Sequence, residues 1–204
     1  MASSDLISQC RKVLGFDLDD IVVFDTETTG IDPKNDEILS IALCDARGYA
    51  LDSTLVRPVR HSSWDRAEAI NGISPEMVAD APTLDQLAEE IAAYLDGPKL
   101  VVGYNVDFDL AFLTEAGVLD SRPFAVLDVM KEFARVHGTA PSRTGDGYKW
   151  SKLADCVAYY GLDYPGNGAH DAMNDAIATA WCLDSMILYD GKWAARFDKY
   201  GEFE

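Results

Sequence analysis

The sequence predicts an α/β domain, and three observations carry that expectation. A β-branched run, Ile21-Val22-Val23-Phe24, leads without a break into the acidic residues Asp25 and Glu27, the pattern of a short buried strand. Two further runs, Glu37 to Cys44 and Tyr49 to Val56, meet around Arg47-Gly48 as a hairpin that Pro58 ends. A fourth run, Leu100 to Gly103, follows a helical stretch, so the chain crosses over and lays it parallel to the first. With Phe124 to Leu127 the strands number five.

Taken in order, Ser4 to Leu14 places Leu6, Ile7, Cys10, Val13 and Leu14 at helical spacing and stops at Gly15, so residues 1–19 read as a helical extension appended to a domain at 20–190. After the hairpin, Arg60 to Pro82 reads as irregular. Thr83 with Gln86 forms a capping box before a helix whose stripe is Leu84, Leu87, Ile91 and Leu95, and Gly97-Pro98 stops it. The strand Leu100 to Gly103 runs through Tyr104-Asn105 into a helix carrying Phe112, Leu113 and Ala116. Helices follow at Asp128 to Val136 and Ser151 to Tyr160. The final helix, opening at His170-Asp171, packs Ala176, Ala180, Leu183 and Ile187 on the sheet, and residues 191–204 form a short tail.

A chain of 204 residues with 48% hydrophobic content is ample for one packed core. Cys10, Cys44, Cys156 and Cys182 are too scattered for a zinc knuckle or a disulfide framework and read as buried reduced thiols. The N-terminus has no signal-peptide core and no run is long enough to span a bilayer, so a cytoplasmic protein without a membrane partner is expected. The net charge of −18 argues against gripping a long duplex along its backbone, yet leaves room for a small site at which metal ions supply the positive charge. The one basic stretch is Lys131 to Lys152, where Lys131, Arg135, Arg143, Lys149 and Lys152 face only Glu132 and Asp146. It reads equally as a loop that closes on a phosphate backbone and as a solvated surface.

Three acidic stations carry the chemistry. Residues two apart on a strand share a face, so Asp25 and Glu27 sit side by side, and two adjacent anions call for a cation; oxygen ligands suit a hard divalent one. Asp109 falls in the first turn of a helix at the carboxyl end of a parallel strand, where open α/β sheets place their sites. Asp107 reads as a residue that merely favours the helix dipole. Asp175 is the polar exception on the last helix. His170 lies five residues before it, about 140° around an ideal helix, so both reach one point only if His170 lies at or before the helix start; Gly166-Asn167-Gly168 supplies a flexible entry.

Phe-Asp-Thr-Glu-Thr-Thr-Gly at 24–30, Asn-Val-Asp-Phe-Asp at 105–109 and His-Asp-Ala-Met-Asn-Asp at 170–175 resemble the three exonuclease motifs of the DnaQ-like family, in its Asp-Glu-Asp-Asp-His subclass. The resemblance covers residues 20–188. It implies an RNase H-like fold, a five-stranded mixed sheet flanked by helices with its second strand antiparallel. It also implies that Asp25, Glu27, Asp109 and Asp175 bind two divalent cations, Mg²⁺ or Mn²⁺, and that His170 is the general base of a two-metal phosphodiester hydrolase. The implied activity is 3′→5′ removal of nucleoside 5′-monophosphates from single-stranded DNA ends, or from RNA in the manner of ribonuclease T and oligoribonuclease. Thr28 and Phe108, beside the ligand positions, are candidates to contact the last sugar and base; for Phe108 core packing is an equal reading. Two departures, Tyr104-Asn105 in the second motif and Asn71 where the pattern Ile-His-Gly-Ile often occurs, fall outside the ligand positions but bear on how the terminal nucleotide is held.

Three other readings have less support. A haloacid-dehalogenase type phosphatase resembles Asp-x-Asp rather than Asp25-Thr26-Glu27. A non-catalytic binding module is disfavoured because all five catalytic positions are filled. A polymerase-tethered proofreader resembles this domain plus a binding tail and a clamp-binding peptide, whereas Lys192 to Glu204 carries no tether motif for a polymerase or clamp.

Overall fold

The computed structural model describes residues 4–119, 124–138, 147–166 and 169–190. In chain order its elements are α1 (Ser4–Leu14), β1 (Ile21–Thr28), β2 (Ile38–Asp45), β3 (Ala50–Leu55), α2 (Asp65–Asn71), α3 (Pro75–Val78) and α4 (Leu84–Asp96). There follow β4 (Leu100–Gly103), α5 (Val106–Glu115), β5 (Ala125–Asp128), α6 (Val129–His137), α7 (Leu153–Tyr159) and α8 (Ala172–Tyr189). The five strands form one sheet in the order β3-β2-β1-β4-β5. β2 pairs antiparallel with both β1 and β3, whereas β4 pairs parallel with β1 and β5, so the mixed sheet expected from the hairpin and the crossover is observed.

Alternation along β1 sorts the core. Ile21 and Val23 belong to an apolar cluster that α1, α6, α7 and α8 complete, with Leu183, Met186 and Ile187 of α8 fully enclosed. Val22 and Phe24 point the other way, into a cluster built with Ile91 and Leu95 of α4 and Leu110 and Leu113 of α5. The central strand is therefore covered on both faces, which suits its unbroken apolar run. Leu6, Cys10 and Leu14 of α1 are buried in the first cluster, so the N-terminal helix packs as part of the core. All four cysteines are buried and free. Among the described residues no helix is long and apolar enough to cross a membrane.

Several boundaries depart from the expectation. The stretch from Arg60 to Pro82 is not irregular: it holds α2 and α3, organised by Trp64, whose Nε1 donates to the Ile73 carbonyl at 2.7 Å over a small cluster with Leu39 and Val78. These helices are seven and four residues long, too short to show a period, and Gly72 closes the first at φ 71°. Asp128 caps α6 from outside, accepting from Met130 N at 3.0 Å and Lys131 N at 3.4 Å. Asp171 likewise caps α8 by accepting from Asn174 N at 3.0 Å, so the helix begins at Ala172 and not at His170. At α4 the side-chain oxygen of Gln86 accepts from Thr83 N at 2.9 Å, one arm of the expected capping box. Asn167, Gly168, Arg143, Asp146 and the tail from Lys192 to Glu204 lie outside the described residues.

Leu183 anchors α8, and with it Asp175, to the sheet. Leu183→Ala is expected to cost about 2–5 kcal/mol through lost transfer energy and the cavity left behind. Urea denaturation should show a lowered midpoint at unchanged slope; a wild-type midpoint would contradict this packing.

Candidate active site at the end of the central strand

β1 carries its apolar faces straight into its polar end. Asp25 and Glu27 continue the face of Ile21 and Val23, toward α8, while Thr26 continues the face of Val22 and Phe24, toward α5. Thr26 meets Asp109 there: Asp109 Oδ1 accepts from Thr26 N at 3.0 Å and from Thr26 Oγ1 at 2.6 Å. Asp109 is 3% exposed. The turn that aims it is tight, with Asn105 held at φ 66° between β4 and α5 and its N–H donated to Asp128 Oδ1 at 3.0 Å. Asparagine tolerates this left-handed conformation better than most side chains. Asp107, one turn face away, instead pairs with Lys131 Nζ at 2.5 Å.

On the opposite flank Asp175 lies in the first turn of α8. Its Oδ1 accepts from the Tyr164 hydroxyl at 2.6 Å, and both its oxygens lie 3.3 Å from the His170 N–H. His170 precedes the helix at φ 70°. This entry lets it share a point with Asp175, and one ligand atom from each of Glu27, His170 and Asp175 all lie within 4.8 Å of one another.

The electrostatics of the group follow from crowding. Burial, then the charges of Asp109, Asp175 and Glu27, hold the Asp25 carboxyl well above the usual carboxylate range. Burial and Asp175 push Glu27 up to about 7, opposed by a hydrogen bond from the Asn71 side chain. Burial also pushes Asp109 up to about 7 against the two bonds from Thr26, and raises Asp175 against those from Tyr164 and His170. Buried carboxyls with raised pKa values, offering hard oxygen donors beside an imidazole, fit a divalent cation, and Asp25, Glu27, Asp109 and Asp175 are residues that could hold one.

The residues expected to touch substrate differ in what they offer. Thr28 is buried and donates its hydroxyl to the Gly30 carbonyl at 2.6 Å. Phe108 is half-buried against the α4 and α5 cluster with its ring centre 5.0 Å from that of Phe112, so packing accounts for part of its surface. Thr26 and Tyr164 did not emerge from sequence. Thr26 sits between two singled-out acids, and strand alternation would have turned it toward the α5 side; Tyr164 reaches Asp175 across a loop whose path no local pattern encodes. Asn71, noted as a departure, comes to this edge from α2 with its Nδ2 3.4 Å from the Thr28 carbonyl.

The comparisons with known proteins agree with this geometry. The exonuclease family model RNase_T matches residues 22–183, the span from β1 into α8. The uncharacterized exonuclease CP81 of Escherichia phage 186 is 33% identical over 177 residues, 82% of this chain and 88% of that one. The DNA polymerase III subunit epsilon of Treponema pallidum is 29% identical over 173 residues, 83% of this chain and 77% of that one. Exonuclease X in complex with 5′ overhanging duplex DNA superposes with a TM-score of 0.62 at 28% identity, covering 86% of this chain and 95% of that one. E. coli exonuclease I with a dA16 oligonucleotide gives 0.66 at 19% identity, covering 85% of this chain but 42% of that one, a likeness of fold. A sheet of this order, an acidic group at the end of its central strand and a family match across nearly the whole described core make this chain a member of the exonuclease family, a nuclease of the DnaQ type on an RNase H-like fold.

Proposed function

We propose that this exonuclease removes nucleoside 5′-monophosphates one at a time from the 3′ end of single-stranded DNA. Asp25, Glu27, Asp109 and Asp175 hold two divalent cations in this reading and His170 is the general base, within a catalytic unit at residues 20–190. The observation that carries it is the meeting of Glu27, His170 and Asp175 within 4.8 Å at the strand end where the charge of Asp109 raises the Asp25 carboxyl. When bound, the cations supply Lewis acidity and offset the charge of the phosphodiester. The His170 imidazole takes the proton of the attacking water; the new bond forms at phosphorus as the bond to the preceding 3′ oxygen breaks, and that oxygen leaves and takes a proton from solvent to become the new 3′ hydroxyl. Tyr164 and the Thr26 pair fix carboxylate orientation through hydrogen bonds already made. The charge of −18 supports a short footprint at a strand end, because a chain so acidic gains little from counterion release along a duplex. Relatedness to a polymerase III epsilon subunit supports DNA over RNA.

A 5′-labelled single strand should shorten as a ladder in Mg²⁺ or Mn²⁺, slow when blocked by a 3′ phosphate and stop in excess EDTA, while a closed circle survives. Cutting of the circle would refute the reading, and faster loss of a matched RNA would move the substrate to RNA. Asp25→Ala should remove turnover with the fold retained, and His170→Ala should lower it by about 10²- to 10⁴-fold.

The raised carboxyls also fix a stability profile. Each has a folded pKa above its unfolded value near 4, so the folded protein keeps protons that the unfolded chain has lost. In chelator this contribution is complete below about pH 4 and is lost as pH rises toward 7, where Glu27 and Asp109 ionise. Urea midpoints in EDTA should fall between pH 5 and pH 8, Glu27→Gln should flatten that fall, and Mg²⁺ at pH 8 should restore the midpoint. A wild-type midpoint that rises with pH over this range would contradict the crowding.

A further inference from the structure

We infer that the exposed segment Tyr148-Lys149-Trp150-Ser151-Lys152 is a stacking platform that carries the single strand away from the cleavage point, an inference that rests on the proposed nuclease reading. Trp150 is 47% exposed and Tyr148 39% exposed, and Lys149 and Lys152 beside them are exposed too. Large aromatic rings left to solvent between cations, in a chain of net charge −18, are the surface on which bases stack while phosphates meet ammonium groups.

The segment is held in place at three points. The Tyr104 hydroxyl donates to the Ser151 carbonyl at 2.8 Å. Tyr104 directly follows β4 and precedes Asn105, which starts the helix bearing Asp109, so this bond ties the segment to the sheet edge that carries the acidic site. At the other end the Tyr148 ring lies against the close of α6: a Cβ placed on Gly138 would stand 2.8 Å from Tyr148 Cδ1. Lys152 N donates to Asp155 Oδ2 at 3.1 Å, which fixes the passage into α7. The backbone and one ring edge are thus anchored, while Tyr148, Trp150 and both lysines remain exposed residues. Ordering cost on binding is small when the platform is already set. The departure Tyr104, outside the ligand positions, acquires a part here: its hydroxyl positions the platform.

The occupant is a single-stranded nucleic acid, because it alone combines stackable faces with a regular run of negative charge, and the duplex hides its bases. The test compares an oligothymidylate of about 15 nucleotides with the p-nitrophenyl ester of thymidine 5′-monophosphate, which lacks a strand. For Tyr148→Ala/Trp150→Ala the ratio of KM on the strand to KM on the ester should rise about tenfold or more, and Trp150→Phe, which keeps a ring, should hold it within about threefold of wild type. Lys149→Ala/Lys152→Ala should shallow the slope of log KM on the strand against log salt by roughly 1.4, about 0.7 for each cation lost. A wild type that degrades the strand with an unchanged ratio in the double aromatic variant overturns the platform while leaving the nuclease reading intact. A wild type that degrades neither substrate overturns both before any variant is compared.

Discussion

Four carboxyls converge on the end of one buried strand, and their mutual repulsion is the constraint to which the surrounding structure answers. Burial raises each of them, and for Asp25 and Glu27 the neighbouring carboxylates raise them further. A protein that only had to fold would do better with apolar side chains there. The arrangement is sustained because β1 is locked between two apolar layers, so the cost of crowding at its end is carried by packing along its length.

The hydrogen bonds around the group act against the crowding. Thr26 gives two donors to one oxygen of Asp109, and Tyr164 gives its hydroxyl to one oxygen of Asp175. Asp175 in addition has both of its oxygens 3.3 Å from the His170 N–H. The donors also set direction: the first pair pins α5 to the central strand, and the second pins the loop before α8 to the helix it enters. Orientation and charge relief are therefore supplied by the same few groups.

Much of the architecture was legible because its signals are local. The apolar run of β1, the hairpin around Gly48 and the crossover to β4 are each readable from a handful of adjacent residues, and together they determine the strand pairing. The acids were legible as types at spacings, and strand alternation placed Asp25 beside Glu27. That Asp109, Asp175 and His170 meet them came from the resemblance of three motifs, since no periodicity links residues separated by more than sixty positions. What escaped is short or non-local. The helices at Asp65–Asn71 and Pro75–Val78 depend on Trp64 reaching the Ile73 carbonyl, and the Tyr164 bond depends on loop closure.

Alternation along β1 has a consequence for how such a chain changes over time. Val22 and Phe24 serve one layer, Ile21 and Val23 the other, and the same parity sends Thr26 to α5 and Asp25 with Glu27 to α8. Replacing one aliphatic residue by another leaves that parity untouched, whereas inserting or deleting a single residue between Ile21 and Asp25 would exchange the faces of the residues beyond it and turn Asp25 and Glu27 to the wrong side. The strand is thus free to drift in composition but closed to changes in length, and indels among related chains are expected to collect in the connections around it.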